Sequence, residues 1–272
     1  MLGVFDSGFG GLTVLKDLVK KMPGYDFAYL GDNARAPYGN RSFDSVYRYT
    51  LEAVRYLFSL GCPLVILACN TASAKALRTI QQKDLPHIAP QNRVLGIIRP
   101  MAEEVGNFTK TGHIGVLGTE GTITSQSYLL EIAKFWPSLH VKQESCPMLV
   151  PLVEKGLLKH PATEMFVEEY TKKILEKSEK IDTLLLGCTH YPLLQELFLK
   201  ALPKNVKILS QGNIVAKKTQ EYLKKHPEID KRITKNGKIC FLTTDSAEFF
   251  EKNATFFWNS SIKAENITIL QP

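Results

Sequence analysis

"LVILACNTASAKAL", residues 64–77, decides the fold. Leu64 to Ala68 is an unbroken apolar run of the kind that forms a strand buried on both faces, and the alanine-rich stretch after Thr71 has the composition of a helix. Between them stand Cys69, Asn70 and Thr71. A buried strand turning at once into a helix is half of a βα unit, and chains built from such units fold around mostly parallel sheets. The polar turn then lies at the carboxyl end of a strand, where such folds bind their ligands.

The same rhythm runs outward from this stretch. "LGVF", "FAYL", "VLGII", "HIGVLG", "LHVKQ", "TLLLG", "VKIL" and "KICFL" are short apolar runs, each followed by turn residues or a helical pattern. In "GLTVLKDLVKKMPG", Leu12, Leu15, Leu18, Val19 and Met22 share a helical face, and Pro23 with Gly24 ends it. In "FDSVYRYTLEAVRYLFSLGCP", Phe43, Val46, Tyr47, Val54, Leu57 and Phe58 recur at similar spacing, with Gly61 and Pro63 as the stop.

The chain also repeats itself once. "GVFDSGFGGLTV" from Gly3 is echoed by "GVLGTEGTITS" from Gly115, and "LVILACNTAS" by "TLLLGCTHYPLL". The expectation is an α/β protein of two pseudo-symmetric three-layer domains with mostly parallel sheets and the active site in the cleft between them. Residues 1–98 plus 210–272 are expected to form the first lobe, and 99–209 the second.

Composition narrows the function classes. At 272 residues and 44% hydrophobic, the chain has material for one large core or two modest ones. Five widely spaced cysteines without a C-x-x-C pair argue against a disulfide framework. The start "MLGVFDSG" enters strand-like sequence at once and no 18-residue apolar run occurs, so a soluble cytoplasmic protein without membrane association is expected. The net charge of +7 is spread through both halves, and lysines mix with acidic residues at helical spacing. That pattern describes solvated helix faces and does not favour nucleic acid.

Four polar turns sit at strand ends: Asp6-Ser7, Cys69-Asn70-Thr71, Thr119 to Thr122, and Cys188-Thr189-His190. A free cysteine is usually a small buried hydrophobe, and Cys62, Cys146 and Cys240 are read that way. Cys69 and Cys188 differ because each precedes an expected helix start and each occupies the same place in its half of the repeat. Aligned helix N–H groups are expected to lower such a thiol from about 8.5 toward neutrality. One thiol on each wall of a cleft suits a reaction that removes a proton from one face of a carbon and returns one to the other. Asp6 near Cys69 and His190 near Cys188 are the natural groups to hold the protonation states.

In order and spacing, "FDSGFGGLTVL", "GDNARAPYG", "ACNTASA", "CPMLVPLVEKG" and "LGCTHYPLL" resemble the motifs of bacterial glutamate racemase, to about residue 200. The resemblance implies two α/β domains and a cofactor-independent, two-thiol racemase that supplies D-glutamate for peptidoglycan. It implies that Cys69 takes the α-proton from D-glutamate and Cys188 from L-glutamate, with Asp6 assisting Cys69, and Glu154 with His190 assisting Cys188. Asp6, Ser7, Tyr38, Gly39, Asn70, Thr71, Thr189 and His190 would hold the substrate, with Thr119 and Thr122 as further candidates. Hydroxyls, an amide and backbone N–H groups suit a carboxylate ligand. No metal and no pyridoxal phosphate is expected; the partners implied are glutamate and, for assembly, a second copy in a homodimer.

Rival readings remain at this stage. "GFGG" at 8–11 lacks the Rossmann spacing, since position 13 is Thr13, and Asp6 would repel phosphate. Zinc is disfavoured because no other cysteine or histidine lies at ligand spacing. A Cys69–His190 hydrolase leaves Cys188 unexplained, and an acidic amino-acid receptor would not need two thiols. Racemisation of aspartate would use the same groups. Two places depart from the family pattern, Arg99-Pro100 where Glu-Pro is common and "LSQGN" around Ser210 where Asp-Ser or Asp-Gly is usual. Neither is expected to touch the thiol turns.

Overall fold

In the computed structural model, which describes residues 1–269, ten strands form two sheets in which every pairing is parallel. In chain order they are β1 (Leu2–Asp6), β2 (Phe27–Gly31), β3 (Leu64–Leu67), β4 (Arg93–Gly96), β5 (His113–Gly118), β6 (His140–Ser145), β7 (Thr183–Gly187), β8 (Lys207–Leu209), β9 (Ile239–Thr243) and β10 (Ala264–Asn266). The first sheet runs β10-β9-β2-β1-β3-β4 and the second β6-β5-β7-β8. The order β2-β1-β3-β4 is thus reproduced by β6-β5-β7-β8, which puts the two sequence echoes on structurally equivalent strands. The fold is the expected α/β arrangement of two related parallel sheets.

Burial explains the apolar runs. Every residue of β1, β2, β3 and β7 is buried, because helices cover both faces of these strands. The edge strand β6 is only partly buried, and its sequence "HVKQES" is correspondingly polar. On one side of the first sheet lies the helix Leu12–Lys21, burying Leu12, Val14, Leu15 and Leu18. On the other lies the helix Phe43–Ser59, started by Ser42, whose hydroxyl accepts from Ser45 N–H. Phe43, expected on that helix's apolar face, is 54% exposed in its first turn, whereas Val46, Val54 and Leu57 are buried against the sheet.

The second sheet is likewise sandwiched. The helix Pro161–Glu176 places Val167, Tyr170 and Ile174 against Leu184 and Leu186, and the helices Ile98–Glu104 and Ser127–Phe135 pack against Ile114, Val116 and Leu185. One apolar cluster is continuous between the lobes, joining Leu2, Val4 and Leu15 of the first to Leu149, Val153 and Cys188 of the second.

The chain crosses between sheets twice, after β4 through the helix Ile98–Glu104 and after β8 through the helix Gln211–Lys225. The latter packs on the helix Leu12–Lys21 and on Ile98–Glu104, where Lys218 pairs with Glu104 at 2.7 Å and Glu103 at 3.3 Å. β9 and β10 then extend the first sheet. Among the described residues no helix is long and apolar enough to cross a membrane.

Candidate active site

Parallel registry brings the polar turns to one level. Asp6 ends β1, Ala68 N–H bonds to Phe5 carbonyl at 2.7 Å, and Cys69 emerges one residue further on. In the second sheet Gly118 and Gly187 pair at the ends of β5 and β7, so that Thr119 and Cys188 emerge side by side. A cavity of ≈ 260 Å³ lies between these two sets of strand ends. Its first wall is Ser7 after β1, Tyr38, Gly39 and Asn40 after β2, and Cys69, Asn70 and Thr71 after β3. The second wall repeats the plan: Thr119 and Glu120 follow β5, Pro147, Val150, Pro151 and Glu154 follow β6, and Cys188, Thr189 and His190 follow β7.

Each thiol has its own partners. Cys69 Sγ donates to Ser7 Oγ at 3.5 Å and accepts from Ala72 N–H at 3.4 Å. Behind it Asp6 is buried; one carboxylate oxygen accepts from Gly8 N–H at 2.9 Å and the other has no partner. Burial raises the Asp6 pKa, against the pull of the His190 charge and of Gly11 and Gly8 N–H groups. Across the cavity Cys188 Sγ is 3.7 Å from His190 Nδ1, and His190 Nε2 is 3.0 Å from Glu154 Oε1. Burial opposes the imidazolium, but the Cys188 and Glu154 hydrogen bonds and charges outweigh it and carry His190 up to about 10.

The helix-terminus expectation for Cys69 is corrected. Its pKa is pushed up to about 12 by burial and by the charge of Asp6, against Ser7 and the single N–H of Ala72. The helix Asn70–Lys75 is too short to offset that desolvation, and Cys188 is followed by a 3₁₀ turn, Tyr191–Leu194, rather than an α-helix.

Other expected ligand groups divide. Ser7, Thr71, Thr119, Thr189 and His190 are on the cavity wall. Thr71 Oγ1 lies 2.9 Å from Thr119 Oγ1, which lies 3.1 Å from Thr122 Oγ1, so hydroxyls of both lobes meet. Thr122 is fully buried behind Thr119, and Asp6 lies behind Ser7 and Cys69; neither is on the wall. Tyr38 is on the wall, but its hydroxyl donates to Asp32, which also accepts from Arg35 Nε at 2.7 Å. Gly39 offers no side chain and its carbonyl accepts from Gly121 N–H at 2.7 Å, joining the lobes.

Asn70 is largely committed inside the protein: Oδ1 accepts from Tyr128 Oη at 2.8 Å and from Gln211 Nε2 at 2.9 Å, and Nδ2 donates to Gln211 Oε1 at 2.7 Å. The "LSQGN" departure therefore does touch a thiol turn, contrary to expectation, because the second crossover helix starts directly behind Asn70. Asn40, Glu120 and the apolar wall of Pro147, Val150 and Pro151 were not singled out from sequence. Their signal is position: Asn40 follows "PYG", Glu120 lies within the Thr119 to Thr122 turn, and Pro147, Val150 and Pro151 lie within "CPMLVPLVEKG". No group of three or more His, Cys, Asp or Glu side chains among the described residues is placed to hold a metal ion.

Comparison with known proteins agrees with this geometry. A family model described as Asp/Glu/Hydantoin racemase matches residues 14–219. A glutamate racemase of Persephonella marina is 43% identical over 98% of this chain and 97% of its own length, and one of Roseobacter denitrificans is 38% identical over 96% and 98%. Among solved structures, a glutamate racemase isoform from Bacillus anthracis superposes with a TM-score of 0.89 at 34% identity, covering 98% of this chain and 97% of that one. The glutamate racemase of Francisella tularensis in complex with D-glutamate gives a TM-score of 0.87 at 31% identity, again over 98% and 97%. Two aspartate racemase relatives, at 17% and 20% identity, share the fold alone. Similarity that runs almost end to end, through both lobes and the cleft between them, has one source: the chain belongs to the glutamate racemase family, within the wider group of Asp/Glu/Hydantoin racemases.

Proposed function

We propose that the protein interconverts L- and D-glutamate by proton transfer between two thiols and the α-carbon, without an organic cofactor. The observation that carries this is the placement of Cys69 and Cys188 at equivalent strand ends on opposite walls of one cavity, each beside its own proton-holding group. From D-glutamate, Cys69 as thiolate takes the α-hydrogen as a proton and the electron pair stays on the α-carbon. Cys188 as thiol then gives its proton to the opposite face, leaving L-glutamate, a Cys69 thiol and a Cys188 thiolate. The reverse direction exchanges the roles. Asp6, whose raised pKa suits it to hold a proton, serves Cys69; the His190 imidazolium, steadied by Glu154, serves Cys188. The hydroxyls of Ser7, Thr71, Thr119 and Thr189 and the remaining N–H of Asn70 are fixed donors for the substrate carboxylates, and need no reorganisation as charge develops.

The family resemblance supports two further parts of the reading, supply of D-glutamate for peptidoglycan and action in the cytoplasm. The test is incubation with L-glutamate in D₂O without added cofactor, following deuterium at Cα and optical rotation. Deuterium uptake with decay of rotation to zero is expected. A protein that binds glutamate and leaves both unchanged is a receptor, and one that turns over L-aspartate in preference to L-glutamate is an aspartate racemase; either result overturns the proposal.

A further inference from the structure

Resting on the proposed racemase reading, we propose that Gln211 is a positioning residue of the site, which sets the orientation of the Asn70 amide and thereby the one N–H that Asn70 offers to the ligand. Gln211 is 2% exposed and opens the helix by which the chain returns to the first sheet. Its amide makes a reciprocal pair with that of Asn70: Asn70 Nδ2 donates to Gln211 Oε1 at 2.7 Å, and Gln211 Nε2 donates to Asn70 Oδ1 at 2.9 Å. Gln211 Nε2 also lies 2.6 Å from Tyr128 Oη, and that hydroxyl donates to Asn70 Oδ1 at 2.8 Å. The three side chains close a ring, buried throughout and drawn from three places: the turn after β3, the helix Ser127–Phe135 and the second crossover.

Ring closure has a definite consequence for Asn70. An amide carries two acceptor sites on its oxygen and two hydrogens on its nitrogen. Both acceptor sites and one hydrogen are used within the ring, so a single N–H remains, on a residue that lines the cavity next to Cys69. Turning the Asn70 amide over alone would set its oxygen against Gln211 Oε1, so neither amide reverses without the other. The ring also ties the first sheet's catalytic turn to a helix of the second lobe. A partly satisfied buried polar cluster is costly, which is why losing one member should disturb the other two.

The test uses the full chain with Gln211→Met, which keeps the length and removes the hydrogen bonds, and reads two things. The first is independent of activity: the side-chain amide NMR signals of Asn70, identified by their loss in Asn70→Ala. In the unmodified protein they should be dispersed and slow to exchange, and in Gln211→Met they should move to values near those of a free amide. The second is glutamate turnover. Gln211→Met should raise KM by about tenfold with a smaller change in kcat, and that factor should vanish on an Asn70→Ala background. Unmoved Asn70 signals, or a factor that persists in full without Asn70, would overturn the proposal. If the protein turned over neither enantiomer while the Asn70 signals still depended on Gln211, the racemase reading would fail and the positioning of Asn70 would stand. Should Gln211→Met not fold, Gln211→Glu reads the same contact. The introduced carboxylate can only accept at neutral pH, so KM should fall again as it is protonated, and a pH-independent KM would count against the ring.

Discussion

At the scale of single residues, the two thiols are not duplicates. Cys69 is held as a thiol by burial and Asp6, whereas Cys188 faces an imidazolium. A serine hydroxyl at either place is a far weaker acid, and on the proposed mechanism each loss removes one of the two proton carriers. Cys69→Ser and Cys188→Ser should each lower net racemisation by roughly 10³-fold. Each should still exchange the α-hydrogen of one enantiomer without inversion: D-glutamate for Cys188→Ser, L-glutamate for Cys69→Ser. Deuterium NMR of recovered glutamate distinguishes that outcome from simple inactivation, and exchange of the opposite enantiomer would reverse the assignment. His190 adds a pH signature. Its pKa rises from 6.5 to about 10 on folding, so its protonation stabilises the native state fully below about 6.5 and ceases to do so by about 10. Thermal melts should therefore show a decline in Tm across that window which His190→Gln flattens; equal slopes in both proteins would remove His190 as the cause. The thiols were legible in the sequence because the repeat marks them, whereas Glu154 was marked only by the family resemblance. Thirty-six positions separate it from His190, and only folding of the segment after β6 back onto the turn after β7 brings them to 3.0 Å.

At the scale of elements, the glycine turn after β1 shows how a short motif is set by what packs on it. A Cβ on Gly10 would come within 2.3 Å of Thr189 Oγ1 and 2.5 Å of His190 Nδ1, and one on Gly11 within 2.5 Å of Asp6 Cβ. The two glycines let the first lobe's turn approach the second lobe's Thr189-His190 turn on one side and Asp6 on the other. Thr13 sits on the same contact, its hydroxyl shared between Gly10 carbonyl at 2.8 Å and Thr189 carbonyl at 3.1 Å. Gly10→Ala must push Thr189 and His190 aside by around an ångström, a displacement of the kind that costs about 10²-fold in rate. The variant should keep a cooperative melt while kcat/KM falls to that extent, and an active Gly10→Ala enzyme would show that the two turns move freely. β1 to β9 were recoverable from the sequence as short apolar runs, and the repeat marked which strands of the two halves correspond; β10, Ala264–Asn266, has no such run, and the order of strands within each sheet is set by packing that the runs do not record. The Gln211 contact was not recoverable, since a polar residue at a helix start gives no sign of being buried until the helix beneath it is known.

At the scale of the whole molecule, the question is whether two lobes joined by two crossovers behave as one folding unit. The apolar cluster that runs from Leu2 and Leu15 to Leu149, Val153 and Cys188 belongs to both lobes, and the Asn70–Gln211–Tyr128 ring and the Thr71–Thr119 hydroxyl pair bridge them again near the cavity. The Lys218 pairs with Glu103 and Glu104 join the crossover helices, but they are partly exposed and worth at most about 1 kcal/mol. Shared core, more than surface charge, is then what couples the lobes. The chain carries its own reporters for this, because its two tryptophans lie on different lobes. Trp136 follows the helix Ser127–Phe135 and donates to Ala102 carbonyl at 3.0 Å, while Trp258 ends the helix Ala247–Trp258 and packs edge-on against Phe241 of β9. Urea unfolding of Trp136→Phe and Trp258→Phe, each followed by the fluorescence of the remaining indole, should give superimposable transitions once each variant's own stability change is corrected by circular dichroism. D-glutamate at a hundred times its dissociation constant should move both transitions upward together, by about 2.7 kcal/mol, because the ligand binds only when both walls are in place. Separate midpoints for the two indoles, or a glutamate shift confined to one of them, would mean that the lobes fold independently and that the cavity is assembled by docking rather than by a common core.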